Sequence, residues 1–218
     1  MSRLKPEDLI HSDDFELLAE VEHDQIKQFV LEQISPSVYL IRWFSAYQVA
    51  MIALFLFLTG KAGFLFFRGM NEAIQQMGLA LLFSFTVLIV LHELIHALAY
   101  WTLGYRRLRF GAILKKFVFY VASDQEVIGY SAFRMVALTP FVLVKLACLA
   151  GGLFFWSTPY AYFFFSVMCV HSLFCAGDMA MLAFYRIHSD KEIYSFDDLK
   201  SGKTFFYFRI SPKTGVVK

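Results

Sequence analysis

Charge is scarce in this chain. Only 17% of its 218 residues are Asp, Glu, Lys or Arg, whereas soluble proteins carry roughly 25%. That shortage, beside 58% hydrophobic residues and 26 phenylalanines, excludes an ordinary soluble domain and leaves an integral membrane protein. An excess of one sign is lacking too. A formal net charge of +2 supplies no basic face for nucleic acid. Cysteine is sparse: Cys148, Cys169 and Cys175 all lie in apolar runs without CxxC spacing, which excludes a disulfide-stapled scaffold and a cysteine zinc ribbon. The chain has no internal repeat and no low-complexity linker, and its polar, acidic first 35 residues do not read as a signal peptide.

What is abundant is long apolar sequence. Four stretches can cross a hydrocarbon core, which takes about 20 helical residues: Trp43 to Thr59 (extendable back to Tyr39), Met77 to Leu103, Met135 to Trp156 and Tyr160 to Tyr185. Trp43, Trp101, Trp156 and Tyr160 fall where interfacial anchors belong. Lys and Arg number 17 in the N-terminal segment, the loop after the second span and the tail, against 2, Lys61 and Arg68, in the opposite loops. The positive-inside rule then puts both termini in the cytosol of a multi-pass protein, with the cell membrane as the expected location.

The fold class expected is an all-α polytopic membrane protein of about four transmembrane helices, with a small β-hairpin or re-entrant segment between helices two and three. That segment, Leu108 to Phe133, is rich in Phe, Val, Tyr and Ile and is broken by a polar turn at Ser123-Asp124-Gln125-Glu126. It must be covered by protein or lie at the interface, because open strand edges are not tolerated in lipid. Residues 1–38 form an acidic cytosolic segment, with a helix expected from Ser12, as its cap, to Ile34. Its apolar stripe of Phe15, Leu18, Ile26, Phe29 and Val30 is imperfect. Residues 39–186 form the membrane-embedded domain, and 187–218 a cytosolic tail with one strand-like run, Thr204 to Ile210.

The second span contains His92-Glu93-Leu94-Ile95-His96, the HExxH pattern. Residues four apart share a helix face, so both imidazoles can reach one zinc ion. Glu93 stands beside them as the general base for an attacking water. Two histidines and a glutamate within a hydrophobic span are expensive, at about 2.5–3.5 kcal/mol for a comparable central charge, which favours function over a polar cluster bonding two helices.

Zinc needs a third protein ligand and one open position. Counted from the cytosolic ends of their spans at about 1.5 Å per residue, His92, His96 and Asp178 share a depth of roughly 10–16 Å. Asp178 is also the one acid besides Glu93 in any span, and it is taken as the third ligand. His171, seven residues earlier, is an alternative ligand, a donor to a developing oxyanion, or an interhelical hydrogen-bonding residue. Cys175, one turn from Asp178, could in principle bind metal but reads rather as a small core residue. Gly177 reads as a point of close helix approach. Lys145, too deep in the third span to reach water easily, either balances Glu93 or Asp178, steadies negative charge in catalysis, or forms a structural ion pair. Pro140 kinks that span.

At His92 to His96 together with Gly177-Asp178, the sequence resembles the site-2 protease group of intramembrane zinc metalloproteases. It looks closest to a small family of putative zincin peptidases of unknown function, over roughly Met77 to Tyr185. The resemblance implies His92, His96 and Asp178 as zinc ligands, Glu93 as general base, and a membrane-associated β-rich segment at Leu108 to Phe133. The stretch from His171 to Asp178 departs from the site-2 pattern, lacking its asparagine and proline and placing glycine before the acid. No PDZ-like module is present.

The expected function is therefore an intramembrane zinc metalloendopeptidase, with Zn2+ as cofactor, a membrane protein or peptide as substrate, and the bilayer as its setting. Glu93 is the catalytic residue, with Lys145 and His171 as further candidates; the sequence names no substrate-binding residue. Four spans are few to enclose a wet site, which leaves a homodimer open. The competing reading is a non-proteolytic zinc-binding adaptor or pseudoprotease. A metal transporter would need a second line of polar residues across the bilayer, which the sequence lacks.

Overall fold

In the computed structural model, residues 4–23, 25, 28–29, 32, 39–113 and 118–210 are described. Among them the order is α1 (Pro6–His11), β1 (Phe15–Glu22), α2 (Tyr39–Phe67), α3 (Glu72–Phe83), a π-helical turn (Ser84–Leu88), α4 (Ile89–Thr102), β2 (Leu108–Ile113), β3 (Val118–Ser123), β4 (Ile128–Gly129), α5 (Tyr130–Phe154), α6 (Tyr160–Phe174), α7 (Ala176–Ile187), β5 (Ile193–Asp198) and β6 (Lys203–Arg209). Three helical stretches are long and apolar enough to cross a membrane: Tyr39–Phe67, Glu72–Thr102 and Tyr130–Phe154. A bent pair, Tyr160–Phe174 with Ala176–Ile187, makes a fourth if counted as one span. Only 11% of the α2 window is buried by protein, so its apolar side chains need lipid around them.

The spans differ in detail from the hydropathy reading. The first runs on past Thr59 to Phe67 and takes Lys61 into the helix, because nothing breaks it until Gly69, at φ 81, where Gly69 N bonds to Phe66 O and Met70 N to Leu65 O. The second begins at Glu72. The third begins at Tyr130, so Phe133 belongs to helix, not hairpin. The fourth is broken at Cys175 with a bend of 42°, which apolar composition could not reveal. Within the membrane layer, Leu58, Ala62, Met77, Ala80, Val144 and Phe165 build a shared core between α2, α3, α5 and α6. The approach of α5 to α6 is set by Gly151 and Gly152. A Cβ on either would come within 2.6 Å of a phenylalanine ring, of Phe164 and Phe165 respectively.

The hairpin is present, but its turn is not at Ser123 to Glu126. Strands β2 and β3 pair antiparallel from Leu108 with Ser123 to Ile113 with Val118, which puts Ser123 at the open base. The polar run instead closes the chain onto its neighbours. Glu126 accepts from the backbone N–H of Arg106 at 3.0 Å and of Arg107 at 2.9 Å, while Gln125, at φ 55, donates its N–H to Asp197 O at 2.8 Å.

The expected N-terminal helix is instead a short helix followed by a strand. Ser12 ends α1, and its Oγ accepts from Asp14 N at 3.1 Å, a turn rather than a helix cap. Past a bulge between Leu17 and Ala19, apolar and acidic residues alternate: Ala19 and Val21 face inward, Glu20 and Glu22 outward. That two-residue period is the strand pattern. Ile26 and Val30 of the expected stripe lie outside the described residues; Phe29 packs on Phe184 and Phe206. The strand-like run of the tail is β6. One antiparallel sheet in the order β1-β6-β5-β4 thus draws on the N-terminal segment, the insert and the tail. It packs through Val21, Ile193 and Phe206 on Phe184 and Tyr185 of α7.

Candidate metal centre

Two irregularities position the site. The π-helical turn at Ser84–Leu88, where Thr86 Oγ1 bonds back to Leu82 O at 2.6 Å, sits one turn before the HExxH run. Such turns re-aim the residues that follow them and cluster at functional sites. The break at Cys175 starts a new helix whose first turn contains Asp178, where the unpaired N–H groups favour a carboxylate. Gly177 does not mediate close packing: a Cβ there would meet nothing within 4 Å. It faces the cavity beside the acid.

His92, His96 and Asp178 converge. Asp178 Oδ2 is 3.3 Å from His92 Nε2, and Oδ1 is 3.3 Å from His96 Nε2. The two Nε2 atoms are 3.0 Å apart. All three groups can offer an atom within 4.8 Å of the others. The outer nitrogen of His96 fixes its tautomer. His96 Nδ1 lies 3.0 Å from the carbonyl oxygen of Val136, which can only accept, so Nδ1 carries the proton and Nε2 a lone pair. His92 Nδ1 lies 3.0 Å from His171 Nε2 and can donate in the same way.

With His92 Nδ1 as the donor to His171, three acceptors point at one place, and Asp178 Oδ2 is buried without a hydrogen-bond partner. Lone pairs brought together this way repel unless a cation lies between them. Two imidazoles and a carboxylate are a donor set that zinc takes. The residues present fit the metal.

His171 is fully buried and forms the outer partner of His92. His92, His171 and Cys175 form a second group that could hold a metal, but it shares His92 with the first and lacks a carboxylate. Cys175 is a buried core residue packed with Phe44, Ala137 and Met179. Lys145 lies elsewhere: its Nζ donates to the Met168 carbonyl and sits over the rings of Tyr47 at 5.5 Å and Phe141 at 5.8 Å. Among the described residues it has no ion pair with Glu93 or Asp178. Pro140 is inside α5, buried.

Glu93 lines a cavity of about 380 Å³ that also exposes His92, His96 and Asp178. Val121 of β3 lines the same cavity, with its backbone N–H toward the Glu93 carboxylate. Val121 pairs with Phe110; an N–H turned to Glu93 is turned away from β2, so at this pair the free edge of β3 faces the site. The cavity continues to the four-stranded sheet, where His23, Asp197 and Thr204 form its wall with Tyr120 of the hairpin. Thr204 Oγ1 donates to Asp197 Oδ1 at 2.6 Å, and His23 Nε2 is 3.9 Å from the same oxygen. Burial, and Asp124 nearby, push the Asp197 carboxyl above its ordinary value, against the pull of Thr204 and His23. None of these sheet residues carries a local sequence signal. They meet the site because strands distant in the chain pair across its mouth.

Fold and donor set together are those of a helical membrane protein with a candidate metal centre. Residues 85–193, half of the chain, match the family described as "Putative zincin peptidase", and the chain belongs to that family. It is thereby a zinc metallopeptidase at the level of class. No curated protein and no solved structure matches it.

Proposed function

We propose that the protein is an intramembrane zinc endopeptidase, with His92, His96 and Asp178 holding the metal, Glu93 as general base and both termini in the cytosol. The observation that carries this reading is the convergence of two imidazole Nε2 atoms on Asp178, one of whose oxygens is buried without a hydrogen-bond partner. Ten residues separate His92 from the end of its helix at Thr102, which corresponds to a depth of about 15 Å. Zinc bound there would supply a Lewis acid that polarises a peptide carbonyl and makes water acidic enough to attack at neutral pH.

The chain's own residues do the rest. Glu93 takes the proton of the attacking water and returns it to the departing amine. Val136 and His171 hold the two imidazoles in the ligating tautomer. A helical substrate hides its carbonyls, so it must unwind, and the edge of β3 beside Glu93 can hold it extended by strand addition. Aromatic side chains, among them Tyr100, Phe119 and Phe133, line the cavity around these groups.

The test is elemental analysis of the purified chain and of His92→Ala, Asp178→Ala and His171→Ala, followed by a cleavage assay on membrane-embedded peptides with Glu93→Gln as control. One zinc per chain, lost with His92 and Asp178 but kept with His171, and turnover abolished by Glu93→Gln, is the expected result. A metal-free wild type, or zinc retained without Asp178, overturns the site. Zinc without turnover points to an adaptor.

A further inference from the structure

The cavity that holds the metal ligands has a second polar end. Among the described residues its wall carries three acids, Glu93, Asp178 and Asp197, and no lysine or arginine. Asp178 is committed to the metal and Glu93 to the proton. Asp197, on β5 in the cytosolic sheet, has no such task.

Its carboxylate is also incompletely matched. Oδ1 accepts from Thr204 Oγ1 at 2.6 Å. His23 Nε2 at 3.9 Å is too far to hydrogen-bond. Among the described residues Oδ2 makes no hydrogen bond. The surrounding wall is aromatic, with Tyr120, Tyr185 and Phe206. The Tyr120 ring is held in place over Gly111, where a Cβ would come within 2.3 Å of it. An aromatic-lined cavity with a carboxylate at one end matches a long side chain with an apolar stem and a cationic head.

We propose that Asp197, backed by Thr204 and His23, forms a subsite for a lysine or arginine side chain of the bound peptide. The inference rests on the endopeptidase reading and names its substrate class: apolar segments followed on the cytosolic side by a basic residue. Membrane spans carry such residues there as a rule, so the subsite fixes the register of an unwound span at the metal. Burial holds the Asp197 carboxyl above its ordinary value, and a cationic head in the cavity would restore its charge.

The experiment uses the full chain, zinc-loaded in nanodiscs, as Glu93→Gln so that bound peptide stays intact. Two sets of fluorescent apolar peptides differ at one scanned position, lysine in one and norleucine in the other. At one position lysine is expected to tighten binding about tenfold or more, and that preference should vanish in Glu93→Gln/Asp197→Asn with zinc content unchanged. Asparagine keeps an oxygen for Thr204, so the sheet is retained. No lysine preference at any position, whether both peptides bind or neither does, overturns the proposal, as does a preference that survives Asp197→Asn. Failure of the endopeptidase reading is read separately, as wild-type protein that binds zinc and leaves every peptide uncut.

Discussion

Nδ1 of His92 stands 3.0 Å from Nε2 of His171, so a residue on α6 meets the outer nitrogen of a candidate metal ligand on α4. The contact bridges the π-helical turn on one side and the break at Cys175 on the other. His171→Ala should therefore keep the ligand set but weaken zinc binding, by about 10–100-fold, as removal of an outer-shell partner does. Competition with a chelator measures it; His171→Asn, which retains an acceptor, should recover much of the loss. Complete loss of zinc in His171→Ala would make His171 a direct ligand.

Val121 lies in β3 and lines the cavity beside Glu93, so Val121→Pro disturbs the strand edge proposed to hold the substrate. Zinc content should be unchanged, while turnover of membrane peptides falls on the order of 10-fold or more, from lost strand addition and a less well-placed base. Unchanged turnover would dismiss the edge of β3 as the substrate rest.

Asp197 supplies a pH signature. Its folded carboxyl lies above the unfolded value of 3.8, because burial disfavours the charge. Between those two values the native state binds the extra proton, so stability falls as pH rises through the window and the deficit is complete above it. Asp197→Asn should raise the melting temperature at pH 7, and the gain should shrink as pH drops toward 3.8. A variant less stable than wild type at pH 7 would contradict this.

Gly152→Leu should destabilise the membrane core, because a Cβ alone would come within 2.6 Å of the Phe165 ring. Overpacking of this kind typically costs about 1–3 kcal/mol. Thermal unfolding in detergent checks it, with Gly177→Ala as the contrasting case in open space.

Phe206→Ala should separate the sheet from the membrane helices. Phe206 is 1% exposed and touches Phe29, Phe184 and Tyr185, so truncation is expected to cost about 3–5 kcal/mol. Hydrogen exchange should rise across β5 and β6 while the helices stay protected.

The sequence by itself determined the solvent and the chemistry. Long apolar runs require lipid, and HExxH puts two imidazoles on one helix face whatever surrounds it. The acid at matching depth, Asp178, followed from counting residues along helices. The hairpin was legible as a β-rich stretch, though its turn was not: a polar run between strands reads alike whether it closes a hairpin or, as Gln125 does, docks on a distant strand. The alternation in Phe15–Glu22 was hidden by the bulge after Leu17, which shifts the two-residue period within one short strand. Only the tertiary structure decided that α6 and α7 part at Cys175, that Lys145 belongs to Met168 and two rings, and that Asp197 shares a cavity with His92, His96 and Asp178. These are contacts between residues far apart in the chain. Local pattern reports which face of an element is apolar, but which other face covers it is fixed by packing alone.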